Sequence, residues 1–497
     1  MTHEFLTPED MRHAVAGQWL NEAVSSRVAP AGVAIDSRED LHAQCFIAII
    51  GARTDGHLWL ASAVEGGAAM LIVQADRRDA VDDAVAGSIP ILLVADTRTA
   101  LWQLGVAWRA RLNAVVVGIT GSAGKTTTRR LVQSICERHL EDLPAGAADG
   151  GCTASVKSYN NDIGVPLTIL RARSNDRFLV LEIGTNAPGE IAALSLLAEP
   201  DIVVITNAGR AHLEGLGSLE GVAREKASIL EGLSDDGLVV LPAASGPLQD
   251  EVLARLGANQ TIQDFGESRG DLVLTSRRTI DSSGAQTVQC SDGFEARMHL
   301  PGAHNAQNAL AAILVARALE IEETQIGLGL AELASDPMRF SGELIGDSGI
   351  MIYNDAYNAN PDAVLAALTT FGELSSEASR RVLILGDMME LGDDATTLHA
   401  EIGRAVVELS RTIELSYVIF IGPLSSHGAR AVLDAGADLM VVQLAALTDV
   451  LCEGVAGMIH SGDSVLIKGS RSQALERVVD SIRTVTGTLN SPDPQSV

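Results

Sequence analysis

Aromatic side chains make up only 3% of the 497 residues, so the cores must be filled by Ala, Val, Leu and Ile. Cysteine is equally scarce. Five residues (45, 136, 152, 290 and 452), odd in number and without a CxxC pair, exclude a zinc ribbon and argue against a disulfide framework. Long apolar runs are missing too. The longest uncharged stretch, 298–316, contains Pro301, Gly302, Asn305, Gln307 and Asn308 and does not read as a membrane span. The first twenty residues carry acids early and hold no apolar segment of signal-peptide length. Basic charge is in deficit: Lys plus Arg is 36 against Asp plus Glu 64, a formal net charge of −28. Cations are therefore outnumbered everywhere except in a local pocket, which argues against a nucleic-acid partner. A cytoplasmic protein with no membrane insertion, taking small anionic substrates where a few Lys and Arg converge, is the expectation.

What is present reads as packed and globular, with 46% hydrophobic and 20% charged residues. The length alone suggests about three domains at roughly 150 residues each. Residues 1–111 mix short apolar runs (45–50, 69–73) with turn signals. From residue 112 to 334, β-rich runs at 114–119, 178–183, 202–205 and 238–241 alternate with helix-like stretches, the pattern of a mostly parallel sheet with crossover helices. After Asp336 and Pro337 the grammar restarts, with runs at 350–353, 382–385, 417–421, 439–442 and 464–467, so 335–497 reads as a further α/β unit. The tail from Thr486 onward is polar, bears proline and reads as frayed.

The sharpest local signal is AVVVGITGSAGKTTT at 114–128. A buried strand ends in Gly121, Ser122, Ala123, Gly124, Lys125, Thr126 and Thr127, and a helix opens. Glycines let backbone N–H groups turn toward an anion, the helix start adds positive field, and Lys125 supplies a point charge. A hydroxyl directly after the lysine can ligand Mg²⁺. The strict motif would need glycine at Ile119, so this is a shortened variant. Glu182, at the end of the run 178–183, offers a metal-holding acid at a strand's C-terminal end; the plainer alternative is a solvated, idle carboxylate.

Further motifs follow in order: YNNDIGVPLT at 159–168, EIGTNAPGE at 182–190, TNAGRAHLEGLGSLEGVAREK at 206–226, NDAYNANP at 354–361, LGDMMELG at 385–392 and KGSRS at 468–472. With IDSR at 35–38 and TDGH at 54–57, this series resembles the Mur ligases from about Asp36 to about Arg477. Within them it resembles the branch that joins D-alanyl-D-alanine to UDP-N-acetylmuramoyl-tripeptide. The resemblance implies a small N-terminal α/β domain for the UDP-sugar, a central P-loop ATPase-like domain and a C-terminal Rossmann-like α/β domain.

The implied chemistry is ATP-driven amide formation through an acyl phosphate, in a chain that acts as a monomer. Lys125, with the loop from Gly121 to Thr127, would hold the β- and γ-phosphates. Thr126 would ligand one Mg²⁺, and Glu182 and His212 a second, although imidazole is an unusual partner for that hard cation. The resemblance implies a CO₂-derived carbamate on Lys226; as it stands, an exposed lysine on a helix starting near Ser218 is the bland expectation. Asn305 and Asn308 match residues contacting adenine and ribose, with helix capping by Asn305 as the alternative. Arg339 matches an arginine reaching the phosphates from the third domain, and Asp355 an acid near the ribose, so domain closure at a hinge near residues 334–336 would complete the site. Ser37 and Arg38 (otherwise an ordinary turn), with Asn160 and Asn161, fall on the UDP-muramoyl-tripeptide side. Asn358, Asn360, Lys468, Ser470 and Arg471 are candidates for the D-alanyl-D-alanine pocket. Asp387 and Glu390 read as a strand exit and helix start inside the third domain rather than as a metal pair. Departures from the family pattern are Ala356, the pair Thr128 and Arg129, the turn at 41–45 and a Gly/Ala-rich run at 144–151.

Overall fold

A computed structural model describes residues 5–21, 29–51, 54–143, 150–156, 159–281, 283–375, 378 and 380–489. The described residues form three sheets in sequence order, of five, nine and six strands.

In the first sheet, Gly32–Ala34, Gln44–Ile47, Met70–Gln74 and Ile91–Val94 run parallel, and Gln18–Trp19 closes one edge antiparallel to Ile91–Val94. The helix Thr97–Arg109 then leads into the second sheet. Asp96 caps it by accepting from the Thr99 N–H at 2.6 Å, and Leu101, Leu104 and Trp108 bury one face at helical spacing. The Trp108 indole donates to the carbonyl of Ala172 at 2.9 Å, and one apolar cluster runs from Leu6 and Ile72 through Trp108 to Leu170 and Leu181. The junction near residue 111 is thus packed on both sides and is not a loose linker.

The second sheet contains six parallel pairings. Val115–Thr120 is the third strand from one edge, between Phe178–Glu182 and Ile202–Ile205. Its two neighbours follow it in sequence, so the crevice at its C-terminal end is the topological switch point where open α/β sheets take ligands. The far edge is an antiparallel meander, Leu272–Thr279, Gln286–Cys290 and Glu295–Met298, which the pattern of apolar runs did not reveal. Its strands are amphipathic, with exposed and buried residues alternating along Glu295–Met298, and carry no long apolar run.

In the third sheet, Ser341–Ile345 pairs antiparallel with Ile350–Asp355. From there Asp463–Lys468, Arg380–Gly386, Tyr417–Ile421 and Met440–Leu444 follow in parallel. The expected frayed tail is corrected in part. Helix Glu476–Leu489 runs through Thr486 because Val478, Val479 and Ile482 bury its inner face against this sheet; residues 490–497 lie outside the described residues. So do residues 144–149 of the Gly/Ala-rich run. No described helix is long and apolar enough to cross a membrane.

Candidate active site

The phosphate loop leaves strand Val115–Thr120 and opens helix Lys125–Glu141. Gly121 and Gly124 have φ of +146° and +82°, and a Cβ at either would collide, with the Thr206 hydroxyl and the Asn308 carboxamide respectively. Only glycine permits that approach. The loop is braced from the next strand's exit: the Ser122 hydroxyl donates to the Gly209 carbonyl at 2.9 Å, and the Ala123 N–H donates to Asn207 Oδ1 at 3.0 Å. Lys125 Nζ folds back onto the Gly121 carbonyl at 2.6 Å. Burial holds its pKa down, with Glu182 opposing and Arg339 adding to the shift.

Glu182 is not a solvated strand-end acid. It is 2% exposed; Oε2 accepts from the Thr126 hydroxyl at 2.8 Å and Oε1 from Asn160 Nδ2 at 2.9 Å. Asn161 turns its side chain to the backbone, accepting from the Gly164 N–H at 2.9 Å at the start of helix Gly164–Arg171.

His212 lies on the same cleft in a left-handed conformation, φ +56°, with Nδ1 2.5 Å from Glu390 Oε2. Burial lowers its pKa, opposed by the Glu390 charge and reinforced by Lys226 and Lys125. Lys226 contradicts the expectation of an exposed helical lysine. It is 0% exposed on helix Leu219–Ala227, and its Nζ has no hydrogen-bond partner among the described residues. Burial first, and then the nearby Lys125 charge, push this amine well below the ordinary lysine range. Among the described residues no three or more His, Cys, Asp or Glu side chains gather as a metal cluster; the oxygen donors at hand are Thr126 and Glu182.

Asn305 and Asn308 line the cleft, but Asn305 is no helix cap: Gly302 holds that position in helix Ala303–Ala318, and Asn305 Nδ2 donates to the Pro301 carbonyl at 2.7 Å. Arg339 stacks over Tyr357, 4.1 Å from guanidinium carbon to ring centroid, between Met338 and Phe340, which both have positive φ. Asp355 accepts from Lys468 Nζ at 2.6 Å and from the Phe340 N–H at 3.1 Å. Lys125, Thr126, Glu182, His212, Asn305, Asn308, Arg339 and Asp355 wall a single cleft of about 770 Å³, which also takes in Asn160, Asn161, Asn358, Asn360 and Lys468; Lys226 and Glu390 are not on its wall.

Ser470 and Arg471 are not on its wall. The Ser470 hydroxyl accepts from the Met389 N–H, and Arg471 turns away to pair with Glu476 at 2.5 Å. Ser37 and Arg38 lie apart in the first sheet's unit, where Arg38 is 87% exposed and pairs with Asp36 at 2.7 Å.

Residues that the sequence pattern left unassigned join the domains. Arg210 forks onto Asp362 Oδ1, 2.9 Å from Nε and 2.7 Å from Nη2, and reaches Glu401 Oε2 from Nη1 at 2.7 Å. Glu390 reaches across to His212, and the Glu214 N–H donates to the Glu390 carbonyl at 3.2 Å. The segment LGDMMELG is thus a strand exit, as read, but its acid faces the neighbouring domain. Glu390 sits inside a motif already singled out and Asp362 directly follows another, and that placement was their only signal.

Comparison with known proteins decides the family. A profile described as the Mur ligase middle domain matches residues 119–316, and one described as the Mur ligase, glutamate ligase domain matches 338–471. The chain is 34% identical over 477 residues to the UDP-N-acetylmuramoyl-tripeptide–D-alanyl-D-alanine ligase of Bacillus subtilis (strain 168), covering 95% of this chain and 97% of that one. The chain belongs to the Mur ligase family. Among solved structures, MurF from Acinetobacter baumannii superposes with a TM-score of 0.80 at 27% identity, over 97% of this chain and 100% of that one. A MurF ligase from Thermotoga maritima in complex with ADP shares the fold, with a TM-score of 0.72 at 24% identity over 92% and 98% of the two chains. As a Mur ligase, the chain has the three α/β units and the phosphate loop that the motif series implied.

Proposed function

We propose that this Mur ligase joins D-alanyl-D-alanine to UDP-N-acetylmuramoyl-tripeptide, with ATP converted to ADP and phosphate. The observation that carries the reading is the joint cleft, in which Lys125, Thr126 and Glu182 from one sheet face Arg339 and Asp355 from another. Near-complete alignment with the ligase of that name supports it.

The tripeptide's terminal carboxylate oxygen attacks the γ-phosphorus and ADP leaves. The dipeptide amine then attacks the acyl carbon and phosphate leaves. Both steps collect anions, which Lys125, Arg339 and the N–H groups of residues 121–127 offset in a site screened from water. Asn305, Asn308 and Asp355 take the adenosine end. Ser37 and Arg38 meet the UDP group, Asn160 and Asn161 the muramoyl-peptide, and Asn358 and Asn360 the dipeptide. We assign residues 1–111, 112–334 and 335–497 to the UDP-sugar, ATP and dipeptide domains of a cytoplasmic monomer.

The Thr126 hydroxyl and Glu182 carboxylate, 2.8 Å apart, are hard oxygen donors suited to Mg²⁺, with His212 as a further ligand for a second ion. Such ions neutralise phosphate charge when bound. Lys226 fits carbamylation by CO₂, because its burial favours the neutral, nucleophilic amine and its nitrogen has no protein partner among the described residues.

Product mass spectrometry after incubation with ATP, Mg²⁺, UDP-muramoyl-tripeptide and candidate amines tests the reading. A product lengthened by D-alanyl-D-alanine is expected. Extension of a different acceptor, or ATP splitting indifferent to the sugar-peptide, would overturn it.

A further inference from the structure

Lysine is nearly absent from this chain. Of the 36 lysine and arginine residues only four are lysine: Lys125, Lys157, Lys226 and Lys468. Almost every other cation, including the interdomain forks of Arg210 and Arg277, is arginine. Lys125 belongs to the phosphate loop, Lys226 is the buried amine, and Lys157 lies outside the described residues. The fourth ends a strand whose register sets its partner. Lys468 closes Asp463–Lys468 directly opposite Asp355, which closes Ile350–Asp355.

The Lys468 side chain is 3% exposed, and its Nζ donates to Asp355 Oδ2 at 2.6 Å and to the Asn358 carbonyl at 3.0 Å. The second Asp355 oxygen is held by the N–H of Phe340, the residue after Arg339. The ammonium is therefore committed to the strand end and the turn that face the nucleotide side, and is not free to clamp a dipeptide carboxylate. A compact ammonium fits two acceptors in a closed pocket. A planar guanidinium, longer and with five N–H groups to satisfy, does not.

We propose that Lys468 is a positioning residue for the nucleotide: it holds the Asp355 carboxylate and, through the Asn358 carbonyl, fixes the 355–360 turn against the phosphate loop. This rests on the reading of the cleft as the nucleotide site. Burial already raises the Asp355 pKa, and Lys468 is the first of the charges opposing that rise. Without the ammonium, a carboxylate in low dielectric takes up a proton and loses the acceptor it offers a ligand hydroxyl.

The test measures ADP dissociation by calorimetry and the KM for D-alanyl-D-alanine in the full chain. The variants are Lys468→Met, Lys468→Arg, Asp355→Asn and the Lys468→Met/Asp355→Asn double. Each single change is expected to weaken ADP about tenfold, with the double no weaker than the worse single, because both act through one carboxylate. The dipeptide KM is expected to stay within about twofold in Asp355→Asn, since that ligand gains nothing from Asp355, and to rise less than ADP weakens in Lys468→Met, which also frees the turn carrying Asn358 and Asn360. Lys468→Arg is expected not to recover ADP binding. If Lys468→Met does not fold, Lys468→Gln and Asp355→Asn carry the same readout. A raised dipeptide KM with unchanged ADP affinity, additive losses in the double variant, or full recovery by arginine would each overturn the assignment. Failure of the unaltered chain to bind ADP would instead refute the nucleotide reading of the cleft.

Discussion

Replacing Lys226 by methionine is expected to strengthen the fold while abolishing ligation. Lys226 is 0% exposed and its nitrogen has no hydrogen-bond partner among the described residues. A buried donor left unsatisfied costs about 1–3 kcal/mol, and methionine fills the same unbranched volume with no donor at all. In a domain of this size that gain raises the melting temperature by about 2–10 °C. The pH dependence has a definite sign. The folded amine titrates well below its unfolded value of 10.5, so between the two the unfolded chain binds more protons. Stability of the parent protein therefore rises with pH until 10.5 is passed, and the variant loses that slope. Thermal unfolding at pH 7 and pH 9, in buffer freed of bicarbonate, reads both effects. Adding bicarbonate should then stabilise the parent and leave the variant unmoved. An earlier melting variant in bicarbonate-free buffer would mean that the amine is already satisfied, and the reasoning would fail.

Arg210→Met removes the fork onto Asp362 and Glu401, partly exposed groups whose combined value is about 1–2 kcal/mol. It should raise the KM for D-alanyl-D-alanine about tenfold by loosening the third domain, with a smaller difference from the parent at high salt; equal KM values at low salt would refute the latch. His304, on the cleft wall, has its pKa lowered to about 4, first by burial and then by Lys468 and Arg277, against 6.5 when unfolded. Its contribution is fully present above pH 6.5 and is lost as the pH falls to 4, at most about 3 kcal/mol, so His304→Gln should flatten acid unfolding across that window. An unchanged acid profile would exclude His304 as its source. Thr126→Val takes the hydroxyl from Glu182 and should raise the Mg²⁺ concentration needed for half-maximal ligation, whereas a parent-like Mg²⁺ curve would remove Thr126 from the metal site.

Most of the frame was legible in the chain itself. The run at 114–119 followed by Gly121 and Gly124 predicts a strand, an anion-binding turn and a helix, because each signal lies within a few residues and needs only backbone sterics. The strands at Ile202–Ile205 and Tyr417–Ile421 match their apolar runs residue for residue. The meander from Leu272 to Met298 escaped because half-exposed strands carry no continuous apolar run. At the site, Glu182 stood out as an acid at a strand exit. Its burial and its bond to Thr126 depend on two strands lying side by side.

The sequence by itself determined the three α/β units, the phosphate loop and the family, since these rest on local periodicity and on motifs in fixed order. Tertiary structure alone decided which charges meet. Lys226 is sealed among neighbours from other elements, Lys468 faces Asp355 across a strand register joining residues far apart in the chain, and Glu390 leaves its own domain for His212. Arg471 lay in the same motif as Lys468 yet turns outward to Glu476. The physical reason is range. Backbone preference acts over a few residues, whereas burial and charge pairing are set by how whole sheets pack and close on one another.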